Sequence, residues 1–382
     1  MSAILTAARD LAPVIAGRAA DTEAQRRLPA DLAAQIAAAG LFRMAVPRRL
    51  GGAEAPPADI LTALEILGQA DAATGWCVMI AGTTALAAAW LPDHHAEAIF
   101  ADPAAITGGV FAPMGKAIVD GDDFIVSGRW AWASGSANCQ WLIGGAVILD
   151  DGVMRTLPNG GPDHRMMFMP ASSVELIDTW DTLGMRGTGS GDMAASNVRI
   201  PADRSVSFMT DAPRDPGPLY AFPPFGLLAL GIAAVASGNA LAALADFRAL
   251  ATAKKAAGSS RTLAERGTVQ SDYARAEADL HAARALADVS VARAWAEAQS
   301  GALSLDTRAR LRLAATHLTR TAAEVTRTAY DLAGGTAVYT SHPLQRRLRD
   351  AHVATQHMMI APPTWELTGR VLLGLPTDAT AL

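Results

Sequence analysis

Cysteine is nearly absent: Cys77 and Cys139 are the only two in 382 residues. Two thiols cannot build a disulfide framework or a Cys-rich zinc site. Lysine is almost as scarce, at Lys116, Lys254 and Lys255, so arginine carries nearly all the positive charge. Charged residues make up 18% of the chain, against roughly 25% in ordinary globular domains. With a formal charge of −5 there is no basic footprint, so neither nucleic acid nor an anionic membrane is an expected partner. A GxxxxGK[ST] phosphate loop and a GxSxG nucleophile elbow are both missing. GTGSGD at residues 187–192 resembles a dinucleotide fingerprint, but its sixth position is Asp192 and it lies among hairpins instead of opening a helix. The histidine pairs His94-His95 and His352/His357 lack the i,i+4 spacing that places two rings on one helix face. No metal is expected.

What is present is apolar: 51% of residues are hydrophobic, which excludes disorder. Two uncharged runs, Ala72 to Pro92 and Pro216 to Ala245, reach the ~20 residues of a membrane span. Interrupting glycines, threonines and prolines make buried core helices the simpler reading. The first residues carry Arg9 and Asp10 and lack a signal-peptide layout. The expectation is a soluble cytoplasmic protein.

The texture divides the chain into three zones, an α+β arrangement that is mainly α. Residues 1–104 have helical spacing, as in LPADLAAQIAAAGLFRM and PADILTALEILGQA. Residues 105–212 alternate β-branched runs such as KAIVDGDDFIVSGRW with Asp-Gly turns, predicting an antiparallel β domain. From 213 to 382 the chain is helical after a proline-rich linker. Stretches at roughly 226–256, 268–301, 305–333 and 342–374 predict a four-helix bundle.

Three segments stand out. SGRWAWASGSANCQW sets Trp130, Trp132 and Trp141 around a Ser-Gly-Ser turn. It reads either as an aromatic strand over a core, or as a platform where a flat ligand stacks on Trp132 and Ser134 offers its hydroxyl and backbone N–H. DTWDTLGMRGTGSGD is a wide hairpin loop, or a site where small residues admit a ligand and Arg186 holds an anion. AYDLAGGTAVYTSHPLQRRLRDAHVATQH is a solvated charged face with Arg346, Arg347 and Arg349, or a phosphate site at a Gly-Gly turn.

In order and spacing these segments resemble the acyl-CoA dehydrogenase fold, and within it the two-component, reduced-flavin-dependent monooxygenases (group D flavoprotein hydroxylases). GLFRMAVPRRLGG and ADAATGWC carry the resemblance at the N-terminal end. True dehydrogenases have a Thr-Glu-Pro type flavin segment where this chain has Phe111-Ala112-Pro113-Met114, and a catalytic glutamate soon after an Arg-Asp pair. Here Arg349-Asp350 is followed by no carboxylate before Glu366, so the proton-abstracting base is missing from its usual place. His357 stands where the monooxygenase branch has a histidine, and the resemblance implies an acid/base role for it. It also implies Trp132 against the isoalloxazine and Ser134 at its N5/O4 edge. Arg186, Thr188 and Ser190 would form the flavin-binding loop, and Arg261 would reach the flavin phosphate across a subunit interface, with Gly334 and Gly335 beside it.

The activity implied is the oxygenase half of a pair: reduced flavin (FADH2 or FMNH2) from a separate NAD(P)H:flavin reductase, O2, and a C4a-hydroperoxide that hydroxylates or epoxidises a small aromatic substrate. Phenol-hydroxylating members have a histidine on the helix after the tryptophan matching Trp76. This chain has Thr83 and Thr84 there, which leaves room for an indole-like ring. A homotetramer is the implied assembly. An acyl-CoA dehydrogenase with a displaced base, and a non-catalytic scaffold keeping only the fold, are the alternative readings.

Overall fold

The computed structural model describes residues 2–158, 160–255, 258–301, 303–380 and 382. The N-terminal part holds α1 (Ala3–Gln25), α2 (Ala30–Ala38), α3 (Pro57–Ala70), α4 (Ala72–Ala85) and α5 (Asp93–Phe100). Proline marks three of these starts: Pro29 caps α2, Pro92 caps α5, and Pro57 is the first residue of α3, where its missing N–H costs nothing. Helix α4 and the turn that continues it to Ala89, with the long α7 (Pro224–Ala253), are the two apolar runs noted in the sequence. In an apolar 18-residue window of each, 94% of the residues are buried inside the protein, so protein covers the faces that lipid would otherwise meet.

The middle part is a sheet of β1 (Thr107–Asp120), β2 (Asp123–Trp130), β3 (Trp141–Asp150), β4 (Val153–Met154), β5 (His164–Pro170), β6 (Glu175–Ile177), β7 (Asp192–Pro201) and β8 (Ser205–Val206). The strand order is β6-β7-β2-β1-β3-β5-β8, with β4 paired to β3. One pair departs from the antiparallel expectation: β1 and β3 run parallel, with a register break between Val110 and Gly115. A two-residue hairpin joins β2 to one edge of β1. The chain must then cross over through residues 131–140 to reach the other edge, which reverses the sense of pairing. That crossover carries Trp132 and Ser134.

Trp130 is fully buried and anchors the crossover. Glycines on three adjacent strands make its slot: a Cβ would lie 2.3 Å from the indole at Gly115, 2.8 Å at Gly128 and 2.6 Å at Gly144. Its Nε1–H donates to the Gly145 carbonyl at 2.7 Å.

The C-terminal part has a short α6 (Pro218–Ala221), then α7, α8 (Gly267–Gln299), α9 (Leu305–Ala333), α10 (Pro343–Ala354) and α11 (Pro363–Leu372). The fourth expected helix is thus two. Pro362-Pro363 cannot continue a helix, so the chain breaks over residues 355–362 and His357 sits in the break, not on the helix of His352. Helices α3 and α7 meet at glycine: a Cβ on Gly238 would fall 2.1 Å from the Glu65 carbonyl oxygen. Arg284 forks onto the Glu65 carboxylate at 2.8 and 2.6 Å, tying α8 to the same place.

Gly115→Ala should cost about 1–3 kcal/mol through overpacking against Trp130. Adding Trp130→Phe should make the double variant less destabilised than the sum of the singles, as read by denaturant unfolding; strict additivity would contradict the slot.

Candidate functional site

The site is built on helix α4. Its N-cap, Asp71, accepts from the Thr74 N–H at 2.8 Å and the Thr74 hydroxyl at 2.7 Å, fixing the first turn. One turn on, Trp76 is buried and donates its Nε1–H to Ser134 Oγ at 3.2 Å. From Ser134 a chain of hydroxyls continues: Ser134 Oγ to Ser190 Oγ at 2.6 Å, Ser190 Oγ to Thr188 Oγ1 at 2.6 Å, and Thr188 Oγ1 to the Met185 carbonyl at 2.8 Å.

The direction of this chain is forced. A carbonyl only accepts, so the single Thr188 proton points at Met185. Ser190 must then donate to Thr188, and Ser134 to Ser190. The indole N–H feeds the other end. Ser134 Oγ has therefore committed its proton and one lone pair, and keeps one lone pair. All three hydroxyl residues are at most 6% exposed, where aligned hydrogen bonds reinforce one another.

The backbone around them is unusual. Trp132 has φ +68 and is 63% exposed. Trp130 and Trp132, two apart, would share a face on a regular strand. The left-handed turn swings the second ring outward, at a cost of order 1–3 kcal/mol for so bulky a side chain. The Ser134 N–H closes this turn by donating to the Trp132 carbonyl at 2.9 Å. It is thus spent, and only the Ser134 side chain remains to meet a ligand edge, a correction to the expectation from sequence. Ala133 and Gly135 donate to the carbonyls of Gly191 and Thr188 at 3.0 and 2.8 Å, stapling the crossover to the 185–191 loop. Beside Ser134 lies a cavity of about 10 Å³ lined by Cys77, Thr107, Asn138 and Cys139, room for about one water. That cavity is too small for a flat tricyclic ring, whereas the outer face of Trp132 is open.

His357 reaches the same place from the bundle. Its ring meets Trp76 edge-on, 5.7 Å between centroids and 65° between planes. Its Nδ1 accepts the Met359 N–H at 3.2 Å, so the neutral ring carries its proton on Nε2. Burial, and then the charge of buried Arg312 on α9, lower its pKa to about 4. Trp76 thus touches both Ser134 and His357. The sequence marked it only as a landmark, because the signal, a lone tryptophan in an apolar helix, is indistinguishable from core.

Asp350 was likewise noted only as half of an Arg-Asp pair. It is buried on α10 and its Oδ1 accepts the Met185 N–H at 2.6 Å, holding the loop that ends the hydroxyl chain. Gly184 leaves room for α10 there, since a Cβ would lie 2.3 Å from the Arg349 carbonyl oxygen. Burial first, and then the Asp71 charge, raise the Asp350 pKa to about 7.

Other candidates lie elsewhere or are occupied. Arg186 donates to Asp181 at 2.9 Å and the Thr182 carbonyl at 2.8 Å, so its guanidinium serves its own loop. The three α10 arginines do not form a phosphate site. Arg346 faces Glu23 at 3.9 Å, Arg347 binds Asp246 at 2.5 Å, and Arg349 binds Glu23 at 2.5 Å. Arg261, Gly334 and Gly335 are exposed at another end of the bundle, around a small second core of Phe247, Leu263, Ala333 and Ala337. They do not join Trp132 and Ser134 within one chain. Glu366 is exposed on α11. The Thr83 and Thr84 hydroxyls donate back to the carbonyls of Met79 and Ile80 at 2.8 and 2.7 Å.

Asp350→Asn keeps the acceptor for Met185 and removes the titration. Between pH 4 and 7 the unfolded carboxyl has shed its proton while the folded one retains it, so wild-type stability falls as pH rises through that window. The Asn variant should therefore gain on wild type from pH 4 to 8 in urea unfolding; a constant difference would contradict the raised pKa.

Comparison with known proteins bears on the fold and the family. Residues 2–95 match the family model described as acyl-CoA dehydrogenase, N-terminal domain, and residues 230–362 match the one for its C-terminal domain. An indole-3-acetate monooxygenase from Pseudomonas putida is 32% identical over 374 residues, 97% of this chain and 92% of that protein. The flavin-dependent monooxygenase oxygenase subunit HsaA of Mycobacterium tuberculosis is 28% identical over 99% of this chain and 97% of its own. Its crystal structure superposes with a TM-score of 0.90 at 27% identity, covering 100% of this chain and 99% of that one. XiaF from Streptomyces sp., solved with FADH2 and glycerol, gives 0.86 at 26% identity over 98% of this chain and 95% of its own. The chain belongs to the acyl-CoA dehydrogenase family, in its branch of flavin-dependent monooxygenase oxygenase components.

Proposed function

We propose that the protein holds reduced flavin, FADH2 or FMNH2, with the ring on the exposed face of Trp132, and uses it with O2 to oxygenate a small electron-rich aromatic substrate of indole or phenol type. The observation that carries this reading is the direction of the hydroxyl chain. A reduced isoalloxazine has a hydrogen on N5, whereas the oxidised ring has a lone pair there. Ser134 Oγ, with its proton directed to Ser190 and one lone pair left, is an acceptor for an N–H and meets an oxidised N5 or O4 with lone pair against lone pair. The fit is to the reduced ring, which supplies the two electrons that O2 needs.

His357 then works as a donor. Its Nδ1 is engaged by Met359, and with a pKa near 4 the ring is neutral at physiological pH, so Nε2–H is what it presents to an oxygen atom. This replaces the acid/base role expected from the resemblance. The Trp76 ring shields both groups from water, which strengthens each hydrogen bond. An indole-like substrate suits the α4 face, where Thr83 and Thr84 spend their hydroxyls on their own helix. The named activity of the Pseudomonas putida relative supports the same choice. Arg261, Gly334 and Gly335 fit a second role, closing on the flavin of a neighbouring copy in a homotetramer. The electrons come from a separate NAD(P)H:flavin reductase in the cytoplasm.

Anaerobic titration tests the carrying observation. Wild type should bind reduced flavin about tenfold or more tightly than oxidised, and Ser190→Ala, which frees the Ser134 proton, should narrow that ratio about fivefold or more. Equal affinities in wild type, or a ratio unmoved by Ser190→Ala, would overturn it. With an added flavin reductase, indole or indole-3-acetate should gain one oxygen by mass, and no gain with any aromatic would reject the activity. His357→Gln, which keeps an N–H donor, should retain more turnover than His357→Leu. The wild-type pH profile should lack an ascending limb near 6.5, the ordinary histidine value.

A further inference from the structure

His94 and His95 open α5, and adjacent histidines on a helix make a poor metal pair by themselves. The fold supplies what the sequence could not show. Asp203, in the turn between β7 and β8, comes in from 108 residues downstream, so that His95 Nε2 lies 2.7 Å from Asp203 Oδ1 and His94 Nε2 lies 3.7 Å from Asp203 Oδ2. The two imidazoles overlap with centroids 4.0 Å apart, and one ligand atom from each of the three residues falls within 4.8 Å of the others.

We infer that His94, His95 and Asp203 form a binding site for a divalent first-row transition cation of the Zn2+ class, clasping the N-terminal helices to the sheet. Two imidazoles and a carboxylate are the donor set such cations take, with remaining positions filled by water. Donors about 2.1 Å from a tetrahedral Zn2+ sit about 3.4 Å from one another, between the 2.7 and 3.7 Å found here. With the ligand atoms within 4.8 Å of one another, side-chain rotations that move them by about an ångström close the site. Zn2+ takes the lone pairs of both Nε2 atoms and one carboxylate oxygen, and the proton between His95 and Asp203 leaves to solvent.

Both supports are rigid. His95 is itself buried, beside buried Ala96 and Ile99 on the inner face of α5. Arg204, next to Asp203, lies 5.3 Å over the Trp141 ring and donates Nε–H to the Phe168 carbonyl at 3.2 Å. His94 and Asp203 are more than half exposed, so the cation has an open approach. The site shares no residue with the Trp76–Ser134–His357 group, and its presence does not depend on the flavin reading.

The test is isothermal titration of Zn2+ into the full-length protein freed of metal with EDTA. Wild type should take up one Zn2+ per chain. His94→Ala and Asp203→Asn should each weaken that binding about tenfold or more. His281→Ala, at another exposed His–Glu pair on α8, should leave it unchanged. The readout is binding alone, and the replaced His94 and Asp203 side chains are exposed, so the variants should fold. No saturable Zn2+, equal binding by the His94 and Asp203 variants, or loss on His281→Ala would overturn the proposal.

Discussion

The indole N–H of Trp76 on Ser134 Oγ is the contact on which the rest of the site depends. It joins a helix of the N-terminal part to the crossover between β2 and β3, and it enters a chain of hydroxyls whose far end is a carbonyl. With a donor fixed at one end and an acceptor at the other, no hydroxyl in between can reverse. Three side chains of a kind usually free to rotate thereby acquire one orientation. The serine beside the exposed tryptophan becomes an acceptor by construction. Remove the Thr188 or Ser190 hydroxyl, and Ser134 regains the freedom to point its proton at whatever lies on Trp132.

The three parts of the fold meet at this contact. Helix α4 provides Trp76, the sheet provides Trp132 and Ser134, and the bundle arrives twice. Asp350 on α10 grips the Met185 N–H, and His357, in the break that follows, meets the edge of Trp76. Burial sets the electrostatics of both groups: a carboxyl raised toward 7 and an imidazole lowered toward 4 are each driven toward the neutral form. A dry surround that holds these two groups neutral suits a reaction in which water would discharge the oxidising equivalents. The left-handed Trp132 belongs to the same design, since backbone strain there turns an aromatic face outward where a regular strand would bury it.

Much of this was legible before any coordinates. Helical spacing located α2 and α3, an uncharged apolar run located α4, and alternation with Asp-Gly turns located the strands. The order of motifs pointed to the family that the comparisons show. What stayed hidden was set by contacts far apart in sequence. The parallel pairing of β1 with β3 follows from a crossover whose path no local pattern encodes. The split of the last helix was written in Pro362-Pro363, yet the stretch at roughly 342–374 reads as one amphipathic helix. Arg186 carried the right charge in a glycine-rich loop, but Asp181, five residues away, claims it. Trp76 and Asp350 looked like core and surface, because their importance lies in partners 58 and 165 residues distant.

The most direct test of the account is a crystal structure of the full chain with reduced flavin, grown without oxygen. The account predicts the isoalloxazine stacked on Trp132, N5–H within hydrogen-bond distance of Ser134 Oγ, and His357 Nε2 on the far side of the substrate space. A ring bound away from Trp132, or a flavin whose N5 contacts a backbone N–H in place of Ser134 Oγ, would contradict it.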